Sequence, residues 1–325
     1  MKNILKTGLI LLFVFISRIV FADGIPLQYG TELITTPPER AAELMTTEDE
    51  LTRGLSSFDL QSKTLTVGDV TMAQYFEYLK GRAQEWTYED VEKLKRTAAS
   101  ITKKLDDLGL EPNFPAVIEV IKTDMKEENG AAAYTRLNYI AMGAHLFKME
   151  DKEFENVFIH ELFHVLSRHN PGLQDAAYEL LGFKKSNEVA YPPEIHRISN
   201  PDAPLNNYYI TVKNGNEEVE AMLVLYSDRE YDGGSFFRYA KLGLMAVEGD
   251  DGNKSVVYKD GEPLILDIGQ VSNFYEQVGK NTGYIIHAEE VSADHFELIL
   301  NGDTNVPDLH LVEKLTQLIK EKGSR

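Results

Sequence analysis

No cysteine occurs anywhere in the 325 residues. Disulfides and thiol nucleophiles are thereby excluded, and so is structural zinc of the finger or ribbon kind. Any metal must be held by His, Asp or Glu. Positive charge is scarce: 33 Lys and Arg stand against 52 Asp and Glu, a formal net charge of -19. So acidic a chain repels nucleic acid and anionic lipid, and neither is an expected partner. The charge serves solubility and weakly favours cationic substrates. A membrane-spanning apolar run is missing at the N-terminus too. Residues 8–16 are uninterrupted, but a span needs about 20 residues, and Arg18 interrupts the next stretch. Lys2 and Lys6 precede this run, and Val20-Phe21-Ala22 is a small-x-small cleavage pattern before Asp23. The layout reads as a cleavable signal peptide over residues 1–22. The mature chain is therefore expected to be secreted or periplasmic, without stable membrane association.

What remains is ordinary globular composition, 43% hydrophobic and 26% charged. Residues 23–69 read as an extended N-terminal segment with a short helix near 41–51. Helical periodicity over 70–108 breaks at Gly81 into two helices. Thr87 and Asp90 open the second as an acidic capping box, and Gly109 ends it. Residues 115–123 alternate as a strand, and 131–142, "AAAYTRLNYIAM", read as one more strand. A helix over 151–168 and a shorter one over 172–182 come next. Pro192, Pro193, Pro201 and Pro204 mark a loop. Residues 205–270 carry repeated turn signals and read as a β-rich insert of antiparallel strands. Helices over 286–300 and 307–322 complete an α+β chain with a helical N-terminal part.

The segment "VFIHELFHVLSRHN" holds His160, Glu161 and His164 in the order H-E-x-x-H. Residues i and i+4 share one helix face, so both imidazoles can aim at one zinc ion. Glu161 is left unligated, free to take a proton from a water that the zinc has acidified. The surrounding Val157, Phe158, Ile159, Leu162, Phe163, Val165 and Leu166 predict a buried helix, where unpaired His and Glu would be costly.

The third ligand is open. His169 is one position off the H-E-x-x-H-x-x-G-x-x-H pattern, and Ser167 stands where that pattern has glycine. Glu179, Glu188, Glu194 and Asp202 lie downstream without a supporting pattern. Glu290 and Asp294 do better. Four apart on an expected helix, Glu290 can bind the metal while Asp294 accepts a hydrogen bond from the far nitrogen of a ligand histidine. Glu289 is the neighbouring rival. Donors to a developing oxyanion could come from Tyr284, His287, His295 or Tyr191; His287, just before Glu290, is the one we expect to act.

With these motifs the chain resembles the gluzincin metallopeptidases, the thermolysin-like clan. The matching positions are His160, Glu161, His164, Glu290 and Asp294. The separation of the two motifs is much longer here. The resemblance implies a zincin-like core over residues 70–325, a Zn2+ cofactor and a peptide or protein substrate. It also implies that an edge strand ahead of the motif helix pairs with substrate, which makes residues 131–142, with Tyr134 and Asn138, candidate substrate contacts. Residues 23–60 are a candidate pro-segment. Two other readings compete with a peptidase: a zinc hydrolase of a non-peptide amide, and a zinc-stabilised binding module.

Overall fold

The computed structural model describes residues 24–324, so the expected signal segment 1–22 lies outside the described residues. The chain is α+β, with two main sheets. The first is built from β1 (Ile25–Pro26), β2 (Glu32–Thr35), β3 (Val117–Thr123), β4 (Ala133–Arg136) and β5 (Tyr139–Gly143), in the order β1-β2-β3-β5-β4. The middle three strands run parallel and the two outer ones antiparallel. Alternation along the strands divides the sheet into two faces. Ile118, Val120, Ile140 and Met142 join the main core; Ile121, Tyr139 and Ala141 join a smaller core on the other side.

Helices α1 (Pro38–Met45), α2 (Glu50–Gly54), α3 (Ser57–Thr64) and α4 (Met72–Lys80) belong to the N-terminal part. With α1 and α4, the smaller core is closed by Ala41, Met45, Tyr75 and Leu79. Helices α5 (Tyr88–Leu108), α6 (Asp151–His169) and α7 (Pro171–Leu180) contribute to the main core. Helix α5 starts and stops where its sequence says. The Thr87 side chain accepts from the Asp90 N–H, the Asp90 side chain accepts from the Thr87 N–H, and Gly109 is left-handed at the end.

The second sheet contains β6 (Phe183–Lys185), β7 (His196–Arg197), β8 (Tyr208–Asn214), β9 (Glu217–Ser227), β10 (Lys241–Glu248) and β11 (Ser255–Val256). A small pair, β12 (Tyr258–Lys259) and β13 (Glu262–Pro263), leads to β14 (Ile265–Leu266), which returns to β10. Helices α8 (Phe274–Val278), α9 (Ala288–Asn301) and α10 (Leu309–Lys322) complete the chain. Among the described residues, no helix is long and apolar enough to cross a membrane.

Two expectations are corrected. Residues 131–142 are not one strand but the hairpin β4–β5, turning at Leu137 and Asn138, with Leu137 in the left-handed region at φ 50. Residues 24–69 are more regular than an extended segment with one short helix near 41–51. They supply β2, which pairs with β3 inside the first sheet, and three helices. The reason is a buried anchor on the hairpin. The Arg136 guanidinium donates to Asp49 Oδ2 at 2.9 Å and to the carbonyls of Met45 and Thr47, each at 3.1 Å. Asp49 in turn caps α2. Removing one partner of a buried pair leaves the other charge uncompensated. Arg136→Ala is therefore expected to lower unfolding stability by about 3 to 5 kcal/mol. Urea unfolding of the variant checks this, and a loss under about 1 kcal/mol would show the anchor is dispensable.

Candidate metal centre

The middle of helix α6 is enclosed: Phe158, Ile159 and every residue from Glu161 to Ser167 are buried. Phe154, Phe158, Ile159, Leu162, Phe163 and Leu166 are fully enclosed. Asp151 and Glu153 in its first turn and Arg168 and His169 in its last complement the helix dipole. His160 and His164 fall on one face, their rings edge to face at 4.7 Å between centroids. Helix α9 packs against this face, with Phe296 on Phe163. It brings Glu289, Glu290 and Asp294.

Each imidazole donates through Nδ1 to a carboxylate of α9. His160 Nδ1 meets Asp294 Oδ1 at 2.8 Å, and His164 Nδ1 meets Glu289 Oε1 at 2.9 Å. These bonds fix ring orientation and leave both Nε2 atoms as the ligating positions. Glu290 Oε2 lies 3.0 Å from His160 Nε2 and 3.5 Å from His164 Nε2. A tetrahedral ion with bonds of about 2.0–2.1 Å spaces its ligands about 3.3–3.4 Å apart, so these separations suit one small cation. His164 Nε2 is buried without a hydrogen-bond partner among the described residues. A fully buried nitrogen left so is costly unless an ion takes it. The residues fit a divalent metal, and two overlapping sets could hold one: His160 with Glu161 and His164, and His164 with Asp202 and Glu290.

An outer layer holds the ligands. Glu289 also accepts from Tyr178 OH at 2.6 Å and from Ser167 Oγ. Asn200 Nδ2 donates to Glu290 Oε1 at 2.5 Å. Thr282 Oγ1 donates to Asp294 Oδ2 and accepts from the Tyr284 N–H at 2.9 Å. Glu161 accepts from Thr135 Oγ1, on the edge strand β4, at 2.8 Å. Apart from those of Thr282, these contacts join residues at least 26 positions apart in sequence. Ser167, one turn after His164, and the doubled acid at 289–290 are the only legible signs of them.

Charge in the centre is one-sided. Five carboxylates (Glu161, Asp202, Glu289, Glu290 and Asp294) surround two imidazoles. Burial opposes the ionised form of Glu290, yet His164 and His160 hold its pKa well below the usual range. Burial raises the Glu161 pKa against the pull of both histidines and Thr135.

Of the oxyanion candidates, Tyr284 lines the cleft in front of the centre, its ring 6.1 Å from that of His160. Burial, then Glu290, raises the Tyr284 pKa, so its hydroxyl stays protonated. His287, expected to act on the oxyanion, does not line this cleft. It is the N-cap of α9, its Nδ1 accepting the Glu289 N–H at 3.1 Å and its ring edge-on to Tyr178. Tyr134, expected at the substrate, is buried in the smaller core with its hydroxyl near Glu127, and it lines the apolar pocket beside the cleft rather than the cleft itself. Asn138 sits at the hairpin turn and donates to the Val117 carbonyl at 3.4 Å. Both miss the cleft because the segment folds back at Leu137. Glu289 holds His164 Nδ1 and so is not a direct ligand here. His295 is buried against Asn281, and Tyr191 lies beside Arg197. His169, Glu179, Glu188 and Glu194 are exposed and remote from the centre.

The cleft at the centre has a volume of about 520 Å3. Ala131, Ala133, Val157, His160, Glu161 and Glu297 are among its walls. Comparison with protein-family models, with curated proteins and with solved structures finds no match.

The histidines make metal binding pH-dependent. Burial works to lower the His160 pKa, but Asp294 and Glu290 outweigh it and raise it from 6.5 to about 10. The metal-free fold therefore holds a proton that the unfolded chain releases near pH 6.5. The stability this adds is fully present below pH 6.5 and is lost as pH rises through 10. With chelator present, the melting temperature is expected to fall between these limits, while apparent metal affinity rises as the ion displaces that proton. Thermal melts with and without zinc check both trends. A metal-free melting temperature that stays level would show that His160 carries no extra proton.

Proposed function

We propose that this chain is an exported zinc metallopeptidase of the gluzincin kind, with a zincin-like core, in which His160, His164 and Glu290 hold the metal. The observation that carries this reading is the Glu161 carboxylate. It lies among the ligating groups and lines the cleft beside them, where the Thr135 hydroxyl donates to it. A purely structural site has no use for an acid held there. The N-terminal charge and apolar pattern support export.

When bound, zinc would polarise the scissile carbonyl and acidify the attacking water. The rest belongs to the chain. Glu161, its pKa raised by burial, takes one proton as the water oxygen bonds to the carbonyl carbon. It passes that proton to the amide nitrogen as the C–N bond breaks, leaving an acid and an amine. Tyr284, protonated and at the cleft wall, donates to the carbonyl oxygen as negative charge grows there. Asp294 and Glu289 keep both rings in the ligating orientation throughout.

Next to the cleft lies an apolar pocket of about 230 Å3 that shares Ala131, Ala133 and Tyr284 with it. Leu225, Phe236, Phe237 and Ala240, from the β-rich insert, line it together with Ile286. It suits a large apolar side chain beside the cut bond, so the insert would set specificity.

Glu161→Gln should retain zinc while peptide turnover falls by about 10²- to 10⁴-fold, and Tyr284→Phe should lower kcat by about 10²-fold. A peptide library assayed with metal analysis checks both, and full turnover by Glu161→Gln would remove Glu161 from the chemistry. Phe236→Ala should reduce kcat/KM for peptides with Phe or Leu beside the cut bond by about tenfold relative to those with Ala. An equal effect on both classes would mean the pocket does not read substrate.

A further inference from the structure

The loop between β7 and β8 does more than cap the centre. Asp202 has a side chain only 10% exposed, and its Oδ1 lies 4.0 Å from His164 Nε2, the nitrogen without a hydrogen-bond partner among the described residues. His164, Asp202 and Glu290 can share one ion. The same Oδ1 accepts the Thr135 N–H at 2.6 Å. Thr135 is on β4, the outer strand of the first sheet, and its N–H and C=O both face away from β5. Its carbonyl accepts from Arg168 Nη2 at 3.4 Å, and Arg168 also donates to the Asp202 carbonyl at 3.1 Å. Asn200, two residues earlier, holds Glu290 and accepts the Asp202 N–H at 3.0 Å.

We infer that Asp202 is a fourth metal ligand and that the loop 199–204 closes the centre against substrate. Two carboxylates and two neutral imidazoles cancel the charge of a divalent ion, which suits so enclosed a place. One carboxylate oxygen fills the coordination position a reacting water needs. It also takes the edge N–H that an extended peptide would use. The protein as folded is therefore latent, and a peptide can be cut only once Asp202 swings out. Four ligands plus a blocked edge distinguish this from an open three-ligand site.

The latency rests on the peptidase reading; the coordination does not. The test uses the mature chain with Asp202→Ala and Asp202→Asn, both checked for wild-type circular dichroism. Asparagine keeps an acceptor for Thr135 and loses the anionic ligand, which separates the two roles. Zinc affinity should fall at least about tenfold in both variants. The visible spectrum of the cobalt-substituted protein should change in both. Amide exchange at Thr135, measured without metal, should speed up in Asp202→Ala and stay slow in Asp202→Asn. Peptide turnover per bound zinc should rise at least about tenfold in Asp202→Ala, as the water position opens. Unchanged zinc affinity and an unchanged cobalt spectrum in both variants would overturn the fourth ligand. Turnover that falls in Asp202→Ala with zinc retained would overturn the latency. A shifted cobalt spectrum with no peptide cut by any form supports the closed coordination and counts against the peptidase reading instead.

Discussion

The apposition of α6 and α9 is the constraint on which the rest depends. Phe163 against Phe296, with Ile159, Val291 and Ala293 enclosed around them, sets how close the two helices come. At that distance His164, Glu289 and Glu290 have no water to retreat to. Two imidazoles must meet three carboxylates, and they do so as paired bonds of 2.8 to 3.0 Å. Apolar packing thus enforces a polar arrangement that would not assemble by its own attraction, since desolvating so many charges is unfavourable. A divalent cation held there would offset this excess of negative charge.

The division of labour between neighbouring residues comes from helix geometry. Glu289 and Glu290 point about 100° apart, so one helix turn can address two sides of the same histidine pair. Glu290 reaches both Nε2 atoms, while Glu289 goes behind His164 to join Tyr178 and Ser167. Asp294, one turn further, does for His160 what Glu289 does for His164. Each ring is held from behind by its own carboxylate, and in front Glu290 Oε2 lies within reach of both.

Features governed by local periodicity are legible in the sequence. The i, i+4 spacings of His160 with His164 and of Glu290 with Asp294 place each pair on one face, and the Thr87–Asp90 box and Gly109 bound α5 within a residue. Features governed by tertiary contact are not. The β4–β5 hairpin turns at Leu137–Asn138, which lacks the glycine that usually marks so tight a turn. His287 lies close to the metal only if it is helical, but its backbone is extended at φ −158, ψ 156, and that aims its ring at the Glu289 N–H. Asp202 sits in a proline-flanked loop with no periodicity at all. Its position depends on Thr135 and Arg168, each more than 30 residues away along the chain.

The N-terminal part illustrates how far such dependence extends. Asp59 on α3 accepts the Ser199 N–H at 2.8 Å, and Ser56 donates to the Arg197 carbonyl at 3.0 Å. Arg197 also donates to the Gly54 carbonyl and to that of Pro204. The first end of the loop that carries Asn200 and Asp202 is therefore tied to residues 54–59, and Arg197 links its other end to the first. Removing residues 24–69 would strip β2 from β3, release Arg136 from Asp49 and free the loop that holds Glu290 from Asp59 and Ser56. The N-terminal helices thus act on the centre without touching it, by fixing where a loop 140 residues later comes to rest.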